Sequence, residues 1–419
     1  MLDLKWIREN QDLTRQGLAA KNAKFNLDEL LELDAERRAC LKEVEDLKAK
    51  LNAANSEVVS LRKSGKTEEA NQLITSLKVI SQKSKDIDLK VGDVTLKIDS
   101  LMYQIPNMPH SDVPVAEGTA GNKIVRTWGE PKTFPFKAKD HLDLANANGW
   151  ISMERGSKIA GAGFPVYQNF GAKLQRALIN FMLTVHTTKH GYQEMWPPSL
   201  ANRASMTGTG QLPKFEEDMY KLREDELFLI PTAEVPVTNL LRDELLNEDD
   251  LPVKFTAYSP CFRREAGSYG KDTRGLSRVH QFDKIELVKF VKPEDGIREH
   301  ESLTADAEAI LQALELPYRV VLLGSGDMSF SAAKCYDLEV WAPGTQKWFE
   351  VSSCSLFSDF QARRMNIKFR RKETKKTEHV YTLNGSGVAL ARTVLCLIEN
   401  GQSESGKIEF PKALQPFLA

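Results

Sequence analysis

Cysteine is scarce in this chain, five in 419 residues. Cys40, Cys261, Cys335, Cys354 and Cys396 include no Cys-x-x-Cys pair and none stands beside a histidine at zinc-ligand spacing, which excludes a disulfide scaffold and a finger-type zinc site and leaves reduced, structural thiols. Net charge is lacking too: 57 Lys and Arg stand against 58 Asp and Glu. The chain as a whole is therefore no polycation, and any nucleic-acid binding must come from local basic surfaces. Apolar runs long enough to span a bilayer are missing. The first residues, Met-Leu-Asp-Leu-Lys-Trp-Ile-Arg-Glu-Asn, mix acids and bases, so no signal-peptide core can be drawn and a cytoplasmic protein without a membrane partner is expected. What is present, 41% hydrophobic and 27% charged residues, suits a globular protein of two or three domains.

Periodicity divides the chain into an arm and a body. Apolar residues recur at Leu41, Val44, Leu47, Leu51, Ala54, Val58 and Leu61, then at Ala70, Leu73, Leu77, Ile80, Ser84, Ile87, Val91, Val94, Ile98 and Leu101, the alternating three- and four-residue spacing of a coiled-coil seam. Between the runs, Gly65 is placed to end one helix and Thr67 to cap the next. Two long helices joined by so short a turn must fold back antiparallel, and so thin a core must project from the body. Lys48, Lys50, Lys63, Lys66, Lys78, Lys83, Lys85, Lys90 and Lys97 lie among acids on its outer faces; charge alone describes a solvated surface. A Pro- and Gly-bearing connector starts near Pro106, after which short strands and amphipathic helices give an α+β pattern. One helix is read over about 171–189, running into His190-Gly-Tyr-Gln-Glu-Met-Trp-Pro-Pro198.

The chemistry concentrates in Pro260–Glu286. Alternation along strands would put Arg263 and Glu265 on one face, and Phe282, Lys284 and Glu286 on one face of the returning strand. A guanidinium, carboxylates and a ring on one sheet surface suit a nucleotide and a small polar substrate. Downstream, Asn384-Gly-Ser-Gly-Val-Ala-Leu-Ala-Arg392 reads as a glycine-rich helix opening with Arg392 about two turns in.

These segments together resemble the class II aminoacyl-tRNA synthetases, and among them the bacterial-type seryl-tRNA synthetases. His190–Pro198 matches the first class motif, Phe262-Arg263-Arg264-Glu265 with Phe282 the second, and Gly387-x-Ala389-x-x-Arg392 the third. Thr207–Phe215, Thr232-Ala233-Glu234, Tyr336–Glu339, Glu350–Ser355 and Asp359–Arg364 match the seryl family, and the likeness runs over essentially the whole chain. Leu356 and Arg264 depart from residues common there. The resemblance implies an α+β fold: an N-terminal tRNA-binding domain, residues 1–105, with an antiparallel helical hairpin (coiled-coil arm), attached to a class II catalytic domain, residues 106–419, built on a mostly antiparallel sheet flanked by helices.

It also implies roles. Arg263 and Arg392 are the catalytic arginines. ATP is bound by Arg263, Arg264, Glu265, Val279, Phe282, Glu350, Val351, Ser352, Ser353 and Arg392, with Glu265 accepting from the adenine amino group and Phe282 and Arg392 covering the ring. Glu350 and Ser353 are the Mg²⁺ ligands. L-serine is met by Thr232, Ala233, Glu234, Glu286, Asn384 and Ser386, and His280 shapes the site without acting as acid or base.

The implied reaction forms seryl-adenylate from serine and ATP, then passes serine to the 3′ end of tRNA(Ser), with tRNA(Sec) a further acceptor left open. The tRNA partner is expected on the hairpin and on a basic surface of Arg363, Arg364, Lys368, Arg370, Arg371, Lys372, Lys375 and Lys376, the segment from Gly267 to Arg278 is expected to meet its acceptor end, and a homodimer is expected. Two other readings stay open on the residues alone: an adenylating ligase acting on a non-tRNA acceptor, and a non-catalytic RNA-binding paralogue.

Overall fold

The structure is a computed structural model describing residues 1–266 and 274–419. It divides into two compact units, one of Asp3–Leu18 and Ala23–Ile105, the other of Met1–Leu2, Ala19–Asn22 and Pro106–Ala419.

In the first unit, α1 (Leu27–Lys63) and α2 (Thr67–Met102) form the antiparallel hairpin. Asn26 caps α1 by accepting from the Glu29 N–H, and Gly65, at φ +79°, supplies the left-handed turn that a side chain would resist. Thr67 does not cap; the turn closes one residue sooner, Lys66 takes the cap position without a side-chain capping bond, and Thr67 is the first helical residue. Toward the tip the helices share Val58, Ala70 and Leu77, flanked by Leu51, Ala54, Leu61, Leu73 and Ile80. The seam departs from expectation at Leu41, which is 41% exposed while Cys40 turns inward: counting back from Val44, the helix uses the four-residue step and not the three. Nearer the root, Asp34 is fully buried and holds Arg8 at 2.9 Å, Arg38 at 3.0 Å and Arg37 at 3.3 Å. Lys83–Glu43, Lys90–Glu36 and Lys48–Asp88 pairs tie one helix to the other, so these lysines stabilise the hairpin's own register.

The second unit is built on an eight-stranded sheet. Its strands are β1 (Lys123–Trp128), β2 (Gln193–Met195), β3 (Val253–Phe262), β4 (Gln281–Val291), β5 (Tyr318–Leu322), β6 (Lys334–Ala342), β7 (Lys347–Ser358) and β8 (Tyr381–Ala389). They lie in the order β1-β5-β6-β7-β8-β4-β3-β2, antiparallel except for β2 beside β3. Helices α3 (His141–Ala147), α4 (Phe170–Thr188), α5 (Glu234–Thr238), α6 (Gly296–Ala313), α7 (Phe360–Met365) and α8 (Leu390–Asn400) flank it. Leu174, Leu178 and Met182 of α4, Leu303 and Ile310 of α6, and Val394 and Ile398 of α8 meet Ile285, Leu287, Leu338 and Leu383 of the sheet in the main core. On the other face Ala233, just before α5, Val237 of α5 and Ala362 of α7 pack with Val288 and Phe290.

β4 thus sends its odd positions into the main core and its even ones to the opposite face, the period-two rule for a strand buried on both sides. Phe282, Lys284 and Glu286 share that second face, and there the site is built. β3 stops at Phe262, so Arg263 and Glu265 do not share a strand face; Arg263 still donates its N–H to the His280 carbonyl at 2.9 Å, and Glu265 turns away at φ +51°. The run Asn384–Ala389 is not a helix opening either but the last part of β8, and α8 starts at Leu390. Its glycines answer to packing: a Cβ on Gly385 would lie 2.4 Å from a methyl of Leu303, and one on Gly387 2.5 Å from the ring of His186. Arg392 therefore stands in the first turn of α8, not the second.

Candidate active site

A cavity of about 410 Å³ opens on the second face of the sheet, lined by residues from β4, β7 and β8, the start of α8 and the chain flanking β3 and β4. Thr232, Glu234, Arg263, Glu265, Val279, Phe282, Glu350, Val351, Ser353, Asn384, Ser386 and Arg392, all singled out in the sequence, reach its wall. Four others do not. Ala233 is sealed in the core under α5. Arg264 reaches out to the Glu217 carbonyl at 2.8 Å. Ser352 is buried beneath the wall and donates to the Ser386 carbonyl at 2.6 Å. Glu286, 1% exposed, stands just behind the wall.

One end of the cavity is acidic. Lys284 Nζ lies 2.5 Å from Glu286 Oε2, and the Thr232 hydroxyl ties the group together. It donates to Glu286 at 2.6 Å and accepts from Lys284 at 2.9 Å and from the Glu234 N–H at 3.1 Å, so its hydrogen-bonding capacity is filled. Asn384 Nδ2 donates to the other Glu286 oxygen at 3.2 Å. Burial, and next the neighbouring Glu286 carboxylate, push the Glu234 carboxyl up to about 7. Gln361 of α7, 1% exposed, donates to Glu234 Oε1 at 2.7 Å and to the Thr209 carbonyl at 3.1 Å.

The other end is cationic and aromatic. The Arg263 guanidinium lies 5.2 Å from the Phe282 ring centroid, a cation–π distance, and its Nε donates to the Pro231 carbonyl at 3.3 Å. Arg278 pairs with Glu265 at 2.9 Å. Arg392 donates through Nε to the Ser277 carbonyl at 3.0 Å and through Nη1 to the Glu350 carbonyl at 2.8 Å, with the Glu350 carboxylate 3.3 Å away.

A bulge makes Glu350 and Ser353 neighbours. Leu338 pairs with Ser352 but Glu339 with Glu350, so Val351 is the extra residue, and residues three apart turn to one face. Burial, and next Glu350, raise the Asp337 carboxyl well above its usual range beside them. Among the described residues no group of three or more His, Cys, Asp or Glu is arranged to hold a metal ion.

The sequence attaches no individual role to Lys284 or Gln361, and of Arg278 only the acceptor-end contact of its segment is expected. Lys284 is legible as the residue between Phe282 and Glu286 on one face; Gln361 reaches Glu234 from an element 127 residues away, and the Arg278–Glu265 pair closes across the segment between β3 and β4, where strand alternation gives no guide. His280 Nδ1 lies 2.9 Å from the Arg263 carbonyl and 3.1 Å from the Tyr220 hydroxyl, contacts that hold the Arg263 backbone. Of the basic run, Arg371 is engaged by Glu248, Glu294 and Glu378, Lys372 by Asp249, Arg363 by Asp359, and Arg364 donates to the Thr207 carbonyl. Arg370, Lys375 and Lys376 stay exposed, a narrower basic surface than the run suggested. Of the segment expected to meet an acceptor end, Gly267–Thr273 lies outside the described residues.

Comparison with known proteins bears on both units. Residues 1–109 match the seryl-tRNA synthetase N-terminal domain and residues 214–401 the class II tRNA synthetase core domain (G, H, P, S and T). A serine–tRNA ligase of Desulfitobacterium hafniense is 51% identical over 100% of this chain and 99% of its own, and one of Trichlorobacter lovleyi 51% identical over 100% and 98%. The seryl-tRNA synthetase of Pyrococcus horikoshii, solved with ATP, superposes with a TM-score of 0.94 at 36% identity, covering 100% of this chain and 98% of its own. The cytoplasmic serine–tRNA ligase of Naegleria fowleri, solved with AMP, gives 0.90 at 28% identity, covering 100% and 97%.

Proposed function

The chain belongs to the seryl-tRNA synthetase family, and from that premise we propose that its cavity joins L-serine to ATP and then passes the seryl group to the 3′ end of tRNA(Ser). The observation that carries the reading is one cavity with an acidic end of Glu234, with Glu286 behind it, and a nucleotide end of Arg263, Glu265, Phe282 and Arg392.

Lys284 offsets one of the two carboxylates at the acidic end, so ionised Glu234 leaves one negative charge for the serine ammonium. Groups that pair with the serine hydroxyl are left stranded by alanine, and such a loss discriminates by about 10⁴ to 10⁵. Arg263 holds the serine carboxylate and the ATP α-phosphate together, its planar fork spreading the charge of the five-coordinate phosphorus as pyrophosphate leaves. Phe282 and Arg392 take the faces of adenine and Glu265 its amino group, for which Arg278 must yield. Catalysis is positioning and charge neutralisation, with no covalent enzyme intermediate.

Mg²⁺ fits the donors on the wall. Glu350 and Ser353 offer hard oxygens on one face, too few for a complete protein cage, which matches a cation sharing its coordination with phosphate oxygens and water. When bound, the cation neutralises phosphate charge; Glu350 and Ser353 would hold it, and Arg392 keeps Glu350 turned to the cavity.

The hairpin supplies the tRNA-binding surface through Lys50, Lys63, Lys78, Lys85 and Lys97, all exposed, which suit backbone contacts to double-stranded RNA. Trp196, 78% exposed beside Pro197 and Pro198, supports a homodimer closing over the first class motif. No helix among the described residues is long and apolar enough to cross a membrane, and we place the enzyme in the cytoplasm. The test is serine-dependent ATP–pyrophosphate exchange with Arg263→Ala as control, followed by aminoacylation of tRNAs with and without a long variable arm. No serine-dependent exchange by the natural sequence would sink the reading.

A further inference from the structure

The scheme above leaves unused a pair of titratable residues almost completely sealed in the core, His141 at 2% and Glu399 at 0% exposure. Glu399 Oε1 accepts the His141 backbone N–H and faces ring Nδ1, both at 3.0 Å. Its Oε2 accepts the Gly344 N–H at 2.8 Å, the Thr345 N–H at 2.9 Å and the Thr345 hydroxyl at 3.3 Å. A carboxylate so surrounded by donors puts the ring proton on Nδ1 and makes Nε2 the acceptor. Nε2 lies 3.2 Å from the N–H of Leu276.

The peptide group two further along is held from the same helix, α8. Arg392 Nε donates to the Ser277 carbonyl at 3.0 Å, and Arg392 and Glu399 lie about two turns apart on one stripe of α8. One helix face therefore grips two peptide groups that flank the Leu276–Ser277 bond, the Ser277 C=O directly and the Leu276 N–H through His141. Gly275, at φ +65°, has no room for a side chain, since a Cβ would lie 2.2 Å from His141 Nε2. Asp140, just before His141, pairs with Arg274 at 3.1 Å.

We propose that His141, oriented by Glu399, is a positioning residue for nucleotide binding. It fixes the limb Arg274–Val279, which carries one wall of the cavity and the Arg278 that meets Glu265. The inference rests on the ATP reading above. Removing the Nε2 acceptor strands a buried N–H and frees the limb to shift away from Arg392 and Glu265. The serine end, built on β4, α5 and α7, keeps its contacts.

Two variants separate positioning from general support. In His141→Asn the amide nitrogen can still donate to Glu399, but nothing reaches Leu276; in His141→Gln the amide oxygen reaches the Nε2 position. Equilibrium dialysis with ATP and the KM values in pyrophosphate exchange are the readouts. His141→Asn is expected to weaken ATP binding on the order of tenfold, with KM for serine held within about twofold, and His141→Gln to recover most of the loss. Gly275→Ala, which leaves both partners in place but crowds Nε2, is expected to show the same ATP-specific loss should His141→Asn not fold. Unchanged ATP affinity in the folded variants, or KM values for ATP and serine rising together with equal loss of Tm in Asn and Gln, would overturn the proposal. A natural sequence that binds ATP but shows no serine-dependent exchange would overturn the activity reading instead, while dialysis still decides the role of His141.

Discussion

Lys284 and Glu286 point to the same side of β4, their Nζ and Oε2 2.5 Å apart and both side chains nearly sealed from water. A charge pair this deep is costly to assemble but far costlier to halve. Lys284→Met strands Glu286 beside Glu234 and is expected to destabilise the fold by about 3–5 kcal/mol and to raise KM for serine, read by urea unfolding and pyrophosphate exchange. Adding Glu286→Gln should restore much of the stability and none of the serine affinity. A double variant as unstable as the single one would show that the pair is not the cause.

Glu234 predicts a pH dependence of definite sign. Its folded carboxyl, up to about 7 against an ordinary 4.5, binds a proton more tightly than the unfolded chain does, so its contribution to stability is full below about 4.5 and is lost as pH rises through about 7. Serine's ammonium needs the ionised form. Binding of serine should therefore release a proton near pH 6 and none at pH 8.5, measured by calorimetry in buffers of different ionisation heat. KM for serine should fall as pH rises toward 7 and level off above. Glu234→Gln should abolish both effects; proton release that persists in it would assign the titration elsewhere.

Arg263 differs in that its contribution is expected in the transition state. A point charge cannot copy a fork that bridges two anions, so Arg263→Lys is expected to lower the exchange rate constant by about 10² to 10³ while changing KM for ATP and serine little. A rise in either KM with an unchanged rate constant would make Arg263 a ground-state binder only.

How far the sequence could be read depended on whether a signal was local. The hairpin was legible because its seam repeats over both helices, and even there Leu41 was misplaced by one position because three- and four-residue steps back from Val44 look alike. The face shared by Phe282, Lys284 and Glu286 followed from strand alternation, whereas Glu265 escaped it by leaving the strand. Glycines at 385 and 387 suggested a helix opening, yet they are set by Leu303 and His186, which lie far off in sequence. The bulge at Val351, Gln361 on Glu234 and His141 behind Leu276 are products of tertiary pairing, and no window of residues announces them.

Trp196 offers a test of assembly. Its ring is 78% exposed next to two prolines in the first class motif, and Trp196→Glu is expected to shift the protein from dimer to monomer in sedimentation velocity at micromolar concentration. A natural sequence already monomeric there would refute the homodimer.

The hairpin can be shortened where its own cross-pairs show the register. Lys83 meets Glu43 at 2.7 Å, so replacing residues 44–82 by a short Gly- and Ser-bearing turn rejoins neighbouring positions and keeps the root, with Asp34 and its arginines, intact. Among the lysines available for RNA this removes Lys50, Lys63 and Lys78 and keeps Lys85 and Lys97. Serine-dependent exchange is expected to be unchanged, because no cavity residue lies in that unit. Charging of a tRNA with a long variable arm should fall by about a hundredfold, and its dependence on salt should weaken as phosphate contacts are lost. Charging at the original rate would leave the hairpin without its assigned purpose, and loss of exchange together with charging would mean that the shortened protein is misfolded, which circular dichroism and the melting temperature decide directly.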